Sequence, residues 1–174
     1  MVNAYFLDTS ALVKRYVPEL GSNWIQSISV PAAGNFLAIS QITWVEVCSA
    51  FSRRQREGSL SGDEVDQLMG YFRTDFDNQY EVLEVDRTLI ETAGARVMQN
   101  PLRAYDSVQL ASALRFQSTL VRFFVADTQL VFVSAGKRLL DIAHSEGLAI
   151  DNPNNFRNQA VSSEECKFSY KLED

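Results

Sequence analysis

Short apolar runs, each followed by one or two helix-length stretches, recur along this chain, and that alternation leaves few architectures open. Residues 4–7 form a continuous apolar run, the mark of a strand buried on both faces. Residues 36–39 and 130–133 repeat the pattern, residues 80–85 alternate apolar with polar, and residues 148–150 suit an edge strand. Between them lie helical segments. Thr9 and Ser10 are placed to cap one reaching about Tyr16, which Pro18 ends, and residues 22–29 form a second. Ser40 is placed to cap a long helix over residues 41–57 that Gly58 closes. A capping box at Ser61 and Glu64 opens the next helix, toward Phe76, and Asp86 caps one reaching Met98. Residues 102–116 and 136–146 complete the set. This pattern predicts an α/β/α sandwich around a central, mostly parallel sheet of four to five strands. Residues 1–152 are expected to form one domain and residues 153–174 a polar tail.

Composition narrows the function classes. Hydrophobic residues make up 46% of the chain and charged residues 22%, the proportions of an ordinary globular domain. No apolar run reaches the roughly 18 to 20 residues of a membrane helix. The N-terminal apolar run lacks a basic flank and stops at Asp8, so a secretory signal is not expected. Cys48 and Cys166 stand far apart, and Cys48 lies in an apolar helical stretch, which predicts a reducing, cytoplasmic setting rather than a bridge. A net charge of −6 is unlike that of a generic nucleic-acid binder. It suits a site where clustered carboxylates hold cations that reverse the local field. Basic residues also gather at Lys14 and Arg15, at Arg53, Arg54 and Arg56, and at Lys137 and Arg138, where solvated helix surface is the simpler reading.

Three acids stand out. In parallel sheets ligands bind beyond the carboxyl ends of the strands, and Asp8 ends the first strand, although aspartate also suits a helix N-cap there. Glu46 shares a helical stripe with Ile42 and Ala50, and Asp106 one with Leu110, Ala113 and Leu114. A buried carboxylate without a partner costs several kcal/mol, so each needs an arginine, a helix dipole, a proton or a cation. Two such residues together with a strand-end aspartate favour a shared cation. Carboxylates without Cys or His select hard ions, Mg²⁺ or Mn²⁺ rather than zinc, and His144 is the only histidine. Metal held this way suits phosphodiester hydrolysis. There is no GxSxG, Walker A or GxGxxG motif.

These residues resemble a known family. The run FLDTSALVK from Phe6 to Lys14, the stretch WVEV around Glu46, the stretch RAYDSVQLASAL from Arg103 to Leu114 and the block FVSAGKRLL from Phe132 to Leu140 resemble, in order and spacing, the four motifs of PIN domains of the VapC toxin type. The resemblance covers residues 3–152. It implies an Mg²⁺- or Mn²⁺-dependent endoribonuclease that is usually a homodimer, is silenced by a VapB-like antitoxin and cuts single-stranded loops of structured RNA. It implies catalytic and metal-binding roles for Asp8, Glu46 and Asp106, and an ordering role for Ser10. Lys14, Arg53, Arg54 and Lys137 are candidates to position phosphates. The fourth motif normally carries an aspartate where this chain has Gly136, which can neither ligate metal nor orient water. Asp127 and Asp141 are the nearest acids, but Asp141 is turned about 140° around the helix. The alternative is therefore a catalytically impaired PIN-like module that binds antitoxin or RNA. A haloacid-dehalogenase-like phosphatase would want a second aspartate where Ser10 stands.

Overall fold

The computed structural model describes residues 3–123 and 129–156. Five strands, β1 (Ala4–Leu7), β2 (Phe36–Ser40), β3 (Glu81–Leu83), β4 (Leu130–Val133) and β5 (Ala149–Asp151), form one sheet in the order β3-β2-β1-β4-β5. All four pairings are parallel. The central strand β1 explains its own sequence. Its neighbours on both sides leave Ala4, Phe6 and Leu7 wholly buried, so no polar alternation is possible there.

The helices are α1 (Thr9–Leu12), extended by a 3-10 turn at Val13–Arg15, then α2 (Ser22–Ser29), α3 (Thr43–Arg56), α4 (Gly62–Asn78), α5 (Arg87–Gln99), α6 (Ala104–Phe123) and α7 (Lys137–Ser145). They cover both faces of the sheet. Leu7, Leu37, Ile39 and Val133 pack with residues of α1 to α4. Ala4, Phe6, Ala38 and Phe132 pack with Leu110, Ala113 and Phe116 of α6 and with Leu139, Leu140 and Ala143 of α7. Successive side chains of a strand point to opposite faces, so one strand serves both cores. The expected α/β/α sandwich is therefore present, with five strands, all parallel. No helix of the described residues is long and apolar enough to cross a membrane.

Local differences from the sequence expectation have tertiary causes. Ser40 does not cap α3: it is the last residue of β2, and its hydroxyl is hydrogen-bonded to that of Ser112 on α6 at 3.0 Å. Gln41 is not helical, because its backbone N–H donates to Leu83 and its side chain accepts from the Val85 N–H, which prolongs contact with β3. The strand expected over residues 80–85 shortens to Glu81–Leu83. Tyr80 is drawn instead into a buried cluster where Arg15 pairs with Asp75 at 3.1 Å and the hydroxyls of Tyr16 and Tyr80 lie 2.9 Å apart. Burial pushes both tyrosine hydroxyls well above their ordinary pKa, so they serve as neutral hydrogen-bonding groups.

The start of the expected tail packs on the domain. Phe156 stacks on Trp24 of α2 with ring centroids 4.2 Å apart. A Cβ at Gly21, whose φ is +89°, would come within 2.5 Å of the Pro153 carbonyl oxygen, so glycine is required there. Residues 157–174, including Cys166, lie outside the described residues, and Cys48 on α3 is a free, half-buried thiol.

Candidate functional site

Strand order reverses between β1 and β4, and the crevice beyond their carboxyl ends is where this class of sheet binds ligands. Asp8 leaves β1 at that point. Its backbone N–H still donates to Val133 of β4, and its side chain caps α1 by accepting from the Ser10 N–H at 3.3 Å. Thr9 and Ser10, expected as caps, are the first helical residues instead, which frees their hydroxyls to face the crevice.

Two hydroxyls fix Asp8. Ser10 Oγ donates to its Oδ2 at 2.5 Å and Ser134 Oγ donates to the same oxygen at 2.9 Å. Each hydroxyl in turn accepts a backbone N–H from the turn after β4: Ser10 from Ala135 at 2.9 Å, Ser134 from Gly136 at 3.0 Å. Asp8 is thus locked to the start of α7 as well as α1. Burial nevertheless raises its carboxyl above the ordinary aspartate value. The hydrogen bonds from Ser10 and Ser134 oppose that rise, and the nearby charge of Asp106 adds to it.

Glu46 stands half-buried in the first turn of α3. Its Oε2 accepts from Thr9 Oγ1 at 2.7 Å and from Gln109 Nε2 at 2.6 Å. Burial raises its carboxyl too, against those two hydrogen bonds and with help from the charges of Asp8 and Asp106. Asp106, in the first turn of α6, is half-buried and makes no hydrogen bond or ion pair among the described residues. The fold therefore brings the three sequence-predicted acids within electrostatic reach of one another and pairs none of them with an arginine among the described residues. They do not close into a ligand cluster. Among the described residues, no three His, Cys, Asp or Glu side chains stand close enough to hold a metal ion as placed here.

Gly136 occupies the N-cap position of α7 with φ −87°, an ordinary backbone conformation, and caps nothing with a side chain. Asp141 is exposed on α7, and Asp127 lies outside the described residues. Two of the basic residues suggested for phosphate contacts are otherwise engaged. Lys14 is buried and pairs with Glu19 at 3.1 Å, and Arg54 pairs with the same carboxylate. Lys137 remains exposed at the first residue of α7, Arg103 is exposed just ahead of α6, and Arg138 reaches the Pro101 carbonyl between them.

No protein-family model matches the sequence, and no curated protein matches it. Solved structures do. VapBC2 from Rickettsia felis, bound to a DNA fragment from its promoter, superposes with a TM-score of 0.57 at 14% identity over 86% of this chain and 98% of that one. A toxin–antitoxin complex from Klebsiella pneumoniae gives 0.54 at 16% identity over 86% and 97%. FitAcB from Neisseria gonorrhoeae gives 0.54 at 15% identity, again over 86% and 97%. The chain has a PIN/VapC-type fold.

Within this PIN-type fold the sequence reasoning missed Ser134, Thr9 and Gln109 as neighbours of the acids, and Thr43 as a partner of Gln109. Ser134 follows the apolar run of β4 just as Asp8 follows that of β1, a parallel that becomes informative once the two strands are known to be adjacent. Gln109 interrupts an apolar helical stretch three residues after Asp106, and it is completely buried. A buried amide in such a stretch is a signal that it serves a polar neighbour.

Proposed function

We propose that this chain is a divalent-metal-dependent endoribonuclease and the toxin of a type II toxin–antitoxin pair. One observation carries the reading: three acids, one just after β1 and two in the first turns of α3 and α6, repel one another near the switch point of the sheet, and none has an arginine among the described residues. Each acid stands at the start of a helix, whose dipole favours it singly, but that does not account for bringing all three near one another. A cation does, and the donor set of hard oxygens fits Mg²⁺ or Mn²⁺. Asp8, Glu46 and Asp106 would hold it, and when bound it supplies Lewis acidity toward a phosphoryl oxygen and lowers the pKa of water.

The chain's own residues do the rest. Ser10 and Ser134 orient Asp8, and Thr9 and Gln109 orient Glu46. Lys137 and Arg103 sit at helix starts, where positive charge opposes the helix dipole, a placement that suits contact with a polyanion better than it suits stability. The likeness to toxin–antitoxin complexes supports a VapB-like antitoxin as partner. The exposed apolar residues Ile90, Val97 and Met98 of α5 offer a surface for a second copy of the chain.

The test is cleavage of a structured RNA carrying single-stranded loops. The purified chain is expected to cut it with Mn²⁺ present and to stop when EDTA is added. Cleavage that persists in EDTA would contradict the reading. Gly136 motivates a second reading, a PIN-like module that binds antitoxin or RNA without cutting. Binding of RNA without cleavage under the same conditions would favour it.

A further inference from the structure

The hydrogen bonds on the two buried acids are one-sided. Every donor to Asp8, the Ser10 N–H and the hydroxyls of Ser10 and Ser134, goes to Oδ2. Both donors to Glu46 go to Oε2. Asp8 Oδ1 and Glu46 Oε1 take no hydrogen bond among the described residues, and neither is sealed from solvent. Each carboxylate is held by one oxygen and offers the other.

For Glu46 the holding groups come from two other helices. Thr9 lies on α1 and Gln109 on α6, three residues after Asp106. Gln109 Nε2 has three oxygens in reach: Glu46 Oε2 at 2.6 Å, Thr43 Oγ1 at 3.0 Å and Thr9 Oγ1 at 3.1 Å. Its own Oε1 is buried with no partner. That arrangement is poor for a residue that only fills the core. An apolar side chain of the same length would avoid burying an unpaired carbonyl. It is also poor for a residue that only serves the two threonines, because turning the amide would let Oε1 receive their hydroxyl protons. The Glu46 carboxylate blocks that turn, since two oxygens 2.6 Å apart with no proton between them repel. The glutamate therefore sets the amide's orientation, and the amide in turn fixes the glutamate.

We propose that Gln109 and Thr9 are positioning residues that clamp the Glu46 carboxylate through Oε2 and leave Oε1 as the oxygen it offers to a divalent cation. This rests on the metal-centre reading above. It differs from a structural role in what it changes: metal affinity, in a protein that still folds.

The experiment is calorimetric titration of the full chain with Mn²⁺, together with the melting temperature of the metal-free protein. The variants are Gln109→Met, Thr9→Val and Thr9→Ser, with Asp106→Asn as a control on the metal site itself. Gln109→Met and Thr9→Val are expected to weaken Mn²⁺ binding by roughly 10- to 100-fold, the range for groups that orient a metal ligand. Gln109→Met removes an orphaned carbonyl but also the amide donor to Glu46 and Thr43, so it is expected to melt within a few degrees of the parent. Thr9→Ser keeps the hydroxyl and is expected to bind like the parent. Should Gln109→Met fail to fold, Thr9→Val carries the test. Parent-like Mn²⁺ affinity in a folded Gln109→Met or Thr9→Val, beside loss in Asp106→Asn, would overturn the positioning role and leave the metal centre standing. A parent that binds no Mn²⁺, or binds it no better than Asp106→Asn, would remove the metal centre and this role with it.

Discussion

Asp106→Asn is expected to weaken Mn²⁺ binding on the order of a hundredfold, about 2.7 kcal/mol, while leaving the metal-free protein about as stable as the parent. The two effects differ in size for one reason. Asp106 makes no hydrogen bond or ion pair among the described residues, so the fold loses only the favourable negative charge at the start of α6. Its charge does act on Asp8 and Glu46, raising both carboxyls, and asparagine relieves that repulsion. That relief is modest, about 0.5 kcal/mol, because Asp106 is partly in water, and the loss of a first-turn acid offsets it. Calorimetry with Mn²⁺ and a urea melt of the metal-free variant check both. A variant that unfolds more easily yet binds Mn²⁺ like the parent would make Asp106 a structural residue.

Gly136→Asp is expected to raise Mn²⁺-dependent RNA cleavage by roughly a hundredfold, the scale of a well-placed acid–base group. The position accepts the side chain. Its backbone is ordinary, and a Cβ there would lie 3.4 Å from Ser134 Oγ and 3.8 Å from Leu139 Cβ, normal contacts. It is also the N-cap of α7, where aspartate is among the best residues and exceeds glycine by a few tenths of a kcal/mol, about 0.3. The cap gain offsets the added repulsion toward Asp8, so the fold should tolerate the change. Initial rates of RNA cleavage at saturating Mn²⁺ measure it. A folded variant that cuts no faster than the parent would show that the missing fourth acid does not limit this chain.

Much of the fold was legible because its signals are local. β1 and β4 are buried on both faces and read as unbroken apolar runs. The capping box at Ser61 is complete in the structure, and Asp86 caps α5 as its position suggests. Asp8 was legible as an acid ending a buried strand, and Glu46 and Asp106 as charges on otherwise apolar helix faces. What could not be read depends on partners distant in sequence. Ser40 and Gln41 carry helix-start chemistry, yet one is claimed by Ser112 and the other by β3. Lys14 and Arg54 looked like free cations until the fold placed Glu19 between them. Ser134 and Gln109 are ordinary residues in sequence and gain meaning only when strand order sets β4 beside β1 and helix packing sets α6 beside α3. Periodicity reports which face of an element is buried, not which groups meet across it.

The most direct test of a shared cation is a crystal soaked in MnCl₂ and measured at a wavelength where manganese scatters anomalously. One anomalous peak is expected beyond the carboxyl ends of β1 and β4, with oxygens of Asp8, Glu46 and Asp106 in its coordination shell. No peak there after a soak at saturating MnCl₂, or an ion bound elsewhere with the three carboxylates apart, would contradict it.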